Sequence, residues 1–137
     1  MAAFLRKPRL AFLTTCLLLA TFAAKGQSSG PTPVLILVDG DDGLTQRLGD
    51  AVKHKFKASA GFSASTAETP DTLIVTIPTN VHWQRIGGRT KLLNKVDFTF
   101  GHGNAITTKD GVCWEDQLTN CADQVLKIAR NTVAQAK

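Results

Sequence analysis

Residues 34–40 read VLILVDG, a run of five aliphatic residues closed by Asp39-Gly40. An unbroken apolar run of this length that ends in a turn signal is typical of a strand buried on both faces. We therefore expect this strand to lie centrally in its sheet. The flanking segments are then expected to supply the elements that cover it and complete one small core.

Two segments have the periodicity of amphipathic helices. The first, DDGLTQRLGDAVKHKFKAS, directly follows the VLILVDG strand, and Asp41 or Asp42 is placed to cap it at the positive end of the helix dipole. The second closes the chain, with Asp116 as its expected cap. Their apolar positions are Leu44, Leu48, Ala51, Val52 and Phe56 in the first helix, and Leu118, Cys121, Ala122, Val125, Ile128, Ala129 and Val133 in the second.

Strand patterns occupy the chain between the two helices. DTLIVTIP alternates apolar and polar residues, VHWQRI and VDFTF follow it, and AITTKDGVCW pairs back, with a bulge or tight turn expected at Asp110-Gly111. Gly87-Gly88 is a strong turn signal, and residues 62–65 are a short strand candidate. The order β-α-β-β-β-β-α predicts an α+β fold: a two-layer sandwich with a mostly antiparallel or mixed sheet and both helices on one face.

The N-terminal 26 residues have the three parts of a secretory signal peptide. Arg6, Lys7 and Arg9 form a basic head, an uncharged apolar run extends over residues 10–24, and small residues surround the expected cleavage point after Gly26. We expect residues 27–33 to be a flexible lead-in and residues 34–137 to form one domain. The protein is then periplasmic or secreted, and it meets the membrane only through the transient signal peptide.

The net charge of +5 is largely a property of this leader. Four of the 16 basic residues and none of the 11 acidic residues lie in it, which leaves 12 basic against 11 acidic residues in the expected mature chain. A nearly neutral domain gives no electrostatic reason to expect a nucleic-acid partner.

Cys113 and Cys121 are expected to form a disulfide bond. The chain reverses between the strand that ends near Cys113 and the helix that carries Cys121, so their Cα atoms can approach to the ~6 Å that a disulfide requires. Cys16 is lost with the leader, and an exported domain matures in an oxidising compartment. A zinc site, a redox pair and two buried free thiols are the alternatives, although the C-x7-C spacing is typical of neither a zinc site nor a redox motif.

The surface residues that favour a binding function are cationic and aromatic. Lys53 and Lys57 lie on the first helix, and Trp83 lies among basic residues of the central hairpin, Arg85 and Arg89. Tryptophan and arginine are enriched at the centres of protein–protein interfaces. We therefore expect an exported, non-catalytic protein-binding domain that needs no cofactor. Its expected partner is another protein of the cell envelope, which it serves as an accessory subunit or opposes as an inhibitor or immunity protein.

Two other functions remain open from the sequence. Asp39 and Asp41, with His82 or His102, are the candidate residues of a small secreted hydrolase or a metal-assisted enzyme, although no recognised catalytic motif accompanies them. The other function is binding of an anionic cell-wall polymer through the four basic residues named above. That interaction would weaken steeply as the salt concentration rises.

Several segments resemble small periplasmic α/β accessory domains of bacteria, namely the N-terminal domain of TolB and the penicillin-binding-protein activator lipoproteins. In those domains a helix leading to a phenylalanine precedes a strand, as ASAGFSAS with Phe62 precedes DTLIVTI here. An Asp-Gly hairpin followed by a tryptophan precedes their last helix, as Asp110-Gly111 and Trp114 precede CADQVLKIA. The resemblance spans most of residues 34–134, and it implies an α/β accessory domain of the cell envelope.

Overall fold

The computed structural model describes residues 30–101 and 107–136. Its strands are β1 (Thr32–Val38), β2 (Phe62–Ala64), β3 (Leu73–Ile77), β4 (His82–Ile86), β5 (Arg89–Phe100) and β6 (Thr107–Trp114); its helices are α1 (Gly43–Lys57) and α2 (Leu118–Gln135), the latter preceded by a 3-10 turn at Glu115–Gln117. The predicted α+β class is confirmed, and the short strand candidate at residues 62–65 is present as β2. The predicted signal peptide lies outside the described residues, and β1 begins at Thr32, inside the expected lead-in.

The six strands form one mixed sheet organised around β1 and β5. β1 lies between β2 and β3 and is parallel to both. β5 is antiparallel to its neighbours: β6 covers one of its edges, and β3 and β4 share the other. Residues 77–81 stand opposite only residues 94–96 of β5, so the chain bulges where β3 gives way to β4.

Both helices pack on one side of the sheet, which we call the helix side. Alternate strand residues point to this side and join buried residues of α1 and α2 in the core, among them Leu73, Val75, Ile77, Leu92, Val96 and Phe98. Leu35 and Leu37 point to the other side, the open face, where they are only partly buried. The prediction that β1 is buried on both faces was therefore wrong, because the described helices cover one side of the sheet.

Asp42 caps α1; it is one of the two residues, Asp41 and Asp42, that were predicted to do so. Its carboxylate accepts hydrogen bonds from the amides of Leu44 and Thr45 at 2.8 and 2.9 Å and from the Thr45 hydroxyl at 2.6 Å. These bonds, the one from the Thr45 hydroxyl first, lower the pKa of Asp42 below its ordinary value. The Thr45 hydroxyl in turn accepts from the Val81 amide at 2.9 Å, so the cap also fixes the residue that precedes β4.

Two local predictions were wrong. Asp116 does not cap α2: both of its carboxylate oxygens are bound by Arg89, and no side chain of the described residues caps that helix. The β5–β6 ladder also continues through Asp110 and Gly111 without a bulge. A glycine is needed there for a different reason, because a Cβ at Gly111 would lie 2.3 Å from the side-chain oxygen of Asn94 on the paired strand.

Candidate functional site

The β4–β5 hairpin, defined here as residues 82–93, is ordered in its backbone but exposed in its side chains. β4 pairs with β5 along its whole length, and yet every residue of β4 is exposed. Gly87 and Gly88 form its two-residue turn with φ angles of +55° and +80°, a geometry that matches the twist of paired strands. The hairpin therefore offers a preorganised surface. Its backbone is already ordered in the fold, so binding a partner loses little conformational entropy there.

Exposed apolar side chains concentrate at this hairpin. Trp83 pairs with the core residue Leu92 and so lies on the helix side, but 60 % of its surface is exposed because neither helix extends over it. Ile86, 46 % exposed, lies on the open face next to the turn, and Val112 of β6, 48 % exposed, lies on that same face. These three are the most exposed large apolar residues in the described part of the chain.

Arg89 is held on the open face at the tip of the hairpin, directly after the turn and opposite Ile86. Its guanidinium donates from Nε and Nη2 to the two carboxylate oxygens of Asp116 at 2.9 and 2.8 Å and lies 4.3 Å from the centre of the Trp114 ring. The hydrogen bond to Arg89 lowers the pKa of Asp116, and the same bond raises the pKa of Arg89. Arg89 thus fastens the hairpin to the 3-10 turn and is not a free positive charge.

A second ion pair supports the hairpin from the helix side. Arg47 of α1 binds the carboxylate of Glu115 in the 3-10 turn. Hydrogen bonds from Arg47 and then Thr90 lower the pKa of Glu115, and the charges of Arg47 and Arg85 lower it further. Arg85 thus acts on Glu115 through its charge, and no ion pair within 4.0 Å joins it to a carboxylate of the described residues.

The predicted disulfide between Cys113 and Cys121 is confirmed. Their Cα atoms are 5.5 Å apart, and both residues are buried. Cys113 pairs with Leu92 of the hairpin, while Cys121 lies in the first turn of α2. The bond consequently fixes α2 against the strands on which the hairpin rests, and it excludes the alternative of two free thiols.

The two predicted lysines lie at the opposite end of α1 from the hairpin. The first turn of α1 contacts the start of β4 through Thr45, whereas Lys53 and Lys57 lie in the last turns and line a cavity of about 290 Å³ beside β2. The five residues predicted to bind a partner are thus divided among three places: Trp83 and Arg85 on the helix side of the hairpin, Arg89 on the open face at its tip, and Lys53 with Lys57 beside β2. They do not form one continuous patch.

The aspartates that follow β1 make structural hydrogen bonds. Asp41 accepts from the Asn80 side-chain amide at 2.8 Å, and its own backbone amide donates to the Asn80 oxygen at 2.8 Å. His82 is exposed at the start of β4, and His102 lies outside the described residues. Within residues 30–101 and 107–136, no three His, Cys, Asp or Glu residues lie close enough together to hold a metal ion. Asp41 and Asp42 therefore secure the bulge before β4 and the start of α1.

Sequence reasoning missed two of the exposed apolar residues. Ile86 had a recognisable signal, since a branched apolar residue directly before Gly87-Gly88 must lie at the tip of a hairpin, far from any core. Val112 had none, because its exposure depends on the register between β5 and β6 and on the side of the sheet that the helices leave uncovered.

Comparison with known proteins identifies the fold but not a family. No family model and no curated protein matches the chain. A minor lipoprotein from Acinetobacter baumannii is similar in structure, with a TM-score of 0.53 and 14 % identity over 77 % of this chain and 92 % of that chain. A structure described as an uncharacterized protein has a TM-score of 0.40 and 13 % identity over 77 % of this chain and 92 % of its own.

At this level of identity the similarity concerns the fold alone. The finer resemblance to the TolB N-terminal domain and to penicillin-binding-protein activators therefore stays a prediction. In the two described ranges of the chain, neither helix has the length and apolar character needed to cross a membrane.

Proposed function

We propose that this protein is an exported, non-catalytic protein-binding domain of the bacterial cell envelope, and that its binding surface is the β4–β5 hairpin. The observation that carries the proposal is the exposure of Trp83, 60 % of whose surface is accessible on a strand fully paired to the core of the sheet. Burying a tryptophan of this kind is among the largest single contributions to a protein–protein interface. A rigid hairpin contributes that area with little loss of conformational entropy.

Three observations support an envelope location. Residues 1–26 have the pattern of a secretory leader. The Cys113–Cys121 disulfide is typical of proteins that fold in an oxidising compartment. The fold is similar to that of a protein described as a minor lipoprotein.

The distribution of charge favours a protein partner over an anionic polymer. A polymer site needs several free cations along one track, but Arg89 is bound to Asp116. The remaining lysines of the predicted set, Lys53 and Lys57, lie at the other end of α1. A surface with one exposed tryptophan and an arginine held in an ion pair is better suited to the apolar centre and polar rim of a protein interface.

The proposal is tested by affinity capture from a cell-envelope extract of the native host. Wild type is expected to retain a dominant partner protein, and Trp83→Ala to retain at least about tenfold less of it, as expected for loss of an interface hot spot. Lys127→Ala, an exposed change on α2, is the matched control and should capture as wild type does. Equal capture by Trp83→Ala and wild type would refute the hairpin as the binding surface.

The same captured complex separates the two roles within this class. An inhibitor or immunity protein lowers the activity of its partner in proportion to the fraction bound. An accessory subunit leaves that activity unchanged or raises it. Either result identifies which member of the class this protein is.

A further inference from the structure

On the edge of β1 that faces β2, backbone hydrogen bonds form along only part of the strand. The amide of Asp39 donates to the carbonyl of Ile77, so the odd-numbered residues of β1 direct their N–H and C=O groups toward β3. The Thr32 amide donates to Gly61, and the Val34 carbonyl accepts from Ser65, so the even-numbered residues direct theirs toward β2. Pairing with β2 covers residues 32–34 and then stops.

Ile36 and Val38 consequently present backbone groups where β2 would continue. Among the described residues, no backbone or side-chain group forms a hydrogen bond with them on this side. Both residues are partly buried, and buried backbone N–H and C=O groups are nearly always paired. A strand edge of this kind, inside a sheet that is otherwise paired at this position, is a template for an added strand.

A groove lies beside Ile36, where this open edge begins. It has a volume of about 290 Å³ and lies where β2 ends, between β1 and the last turns of α1. Its walls are Ile36 on the β1 side, Phe56 on the α1 side, and Ala64 and Ser65 at the closed end. The groove thus combines apolar side chains of Ile36 and Phe56 with the strand edge at Ile36.

Two lysines border the groove on the α1 side. Lys53 and Lys57 are one helical turn apart and both are exposed. The Lys53 ammonium lies 3.9 Å from Asp50, a long contact between exposed groups, and Lys57 has no ion pair in the described part of the chain. Lys55 is instead directed to α2, where it binds Asp123 at 2.7 Å. The two groove lysines therefore offer positive charge to whatever occupies the groove.

We propose that this groove binds an extended acidic segment of a partner protein, which adds to β1 as a strand in continuation of β2. The added backbone bonds to Ile36 and Val38, as in strand addition generally, and an acidic side chain on the α1 side meets Lys53 and Lys57. The proposal is independent of the hairpin, because the groove lies at the opposite end of α1.

The charges argue against a second copy of this chain as the occupant. Pairing two β1 edges would bring the lysines of one copy toward those of the other, which is unfavourable. The alternation of N–H and C=O at strand spacing also matches a peptide backbone, whereas the two lysines alone would accept any polyanion. Hydrogen bonding at Ile36 and Val38 therefore distinguishes the proposed ligand from a general anion.

The first test measures binding of a designed probe to the purified protein by fluorescence anisotropy. The probe is a labelled, capped peptide of alternating valine and glutamate, seven residues long, and the control peptide carries lysine in place of glutamate. We expect the acidic peptide to bind at least about tenfold more tightly than the basic one, and Lys53→Gln with Lys57→Gln to weaken it about tenfold. Lys127→Gln is the matched control and should bind as wild type does. Absence of binding by the acidic peptide would refute the proposal.

The second test locates the peptide by amide hydrogen exchange at single residues. Saturation with the acidic peptide should slow exchange at Ile36 and Val38 by at least about tenfold, while Leu35 and Leu37, already bonded to β3, should not change. Binding without slower exchange at Ile36 and Val38, or equal binding of dextran sulfate, would show a simple electrostatic attachment and overturn strand addition.

A third variant separates this site from the hairpin. Trp83→Ala should leave the affinity for the acidic peptide within about twofold of wild type, since the two sites share no residue. If Trp83→Ala abolishes peptide binding instead, the peptide binds at the hairpin and the groove assignment is wrong.

Discussion

β1 and β5 both lie inside the sheet, but they differ in how much of their backbone is paired and in how deeply their side chains are buried. β5 is paired on both edges over most of its length, and its inward residues Val96 and Phe98 are almost fully buried. β1 loses its outer neighbour after Val34, and its inward residues Ile36 and Val38 stay partly exposed. The difference indicates that β5 is the better buried of the two strands, while β1 keeps backbone groups at Ile36 and Val38 that no described residue binds.

Core truncations on the two strands should give the largest effects and the clearest contrast. Phe98→Ala removes a fully buried ring at the centre of the core and should lower the free energy of unfolding by about 3–5 kcal/mol. Ile36→Ala removes a partly exposed side chain and should cost only about 1–2 kcal/mol. Urea denaturation followed by far-ultraviolet circular dichroism measures both values.

Ile77→Val is a suitable control for that comparison, because it removes one methylene from a fully buried position without creating a large cavity. It should cost about 1 kcal/mol. If Ile36→Ala proves as costly as Phe98→Ala, the two strands contribute equally and the contrast between them fails.

Removal of the disulfide should give the next largest effect, and it acts on the β5 side of the molecule. The Cys113→Ser and Cys121→Ser double variant loses a short closed loop, whose constraint on the unfolded chain is worth about 2–3 kcal/mol by the loop-entropy estimate. Thermal unfolding with and without reductant measures this contribution. Wild type in reductant should then unfold close to the double variant, whereas an unchanged melting temperature in reductant would contradict a stabilising role.

The β1–α1 half of the molecule was largely predictable because its signals are local. The apolar run at residues 34–38, the helical spacing from Leu44 to Phe56 and the Asp42 cap each depend on residues within a few positions of one another. The disulfide was predictable for a similar reason, since only a short reversal separates its two cysteines. Structures that depend on local hydrogen bonds and short loops can be predicted from the residue pattern of a short segment.

The β5 half was harder to predict because its structure depends on distant partners. Residues 89–95 are mostly basic and polar, yet they extend β5 because β4 and β6 pair with them on both sides. The ion pair between Arg89 and Asp116 joins residues 27 positions apart, and no local pattern in the sequence indicates it. The open edge of β1 was equally hidden, since it depends on where β2 leaves the sheet and not on any residue of β1 itself.

Acid should weaken the α1 end of the molecule through Asp42. Its pKa is lowered in the folded state, so its contribution to stability is complete above its ordinary pKa of 3.8 and is lost as the pH falls from there through the lower folded value. Asp42→Ala should be less stable than wild type at pH 7, and its stability should fall less steeply below about pH 4. The effect should be smaller than that of losing the disulfide, and denaturant unfolding across pH 3–7 measures it.

Asp42→Asn is the matched variant, since asparagine accepts the same amide hydrogen bonds but does not titrate. It should keep most of the stability at pH 7 and also show the shallower acid dependence. If it instead loses stability in acid as wild type does, the acid sensitivity belongs to Glu115 or Asp116, whose pKa values are lowered by their arginine partners.

Trp83→Ala should give the smallest effect on stability, although tryptophan is the largest side chain in the protein. β4 takes its order from backbone pairing with β5, and Trp83 contributes little to the core because most of its surface is already exposed. We expect the free energy of unfolding to change by no more than about 0.5 kcal/mol, as for other surface substitutions. Parallel urea titrations of wild type and variant make the measurement. A loss as large as that of Phe98→Ala would place Trp83 in the core, and the loss of partner capture by the variant would then report misfolding and not a lost contact.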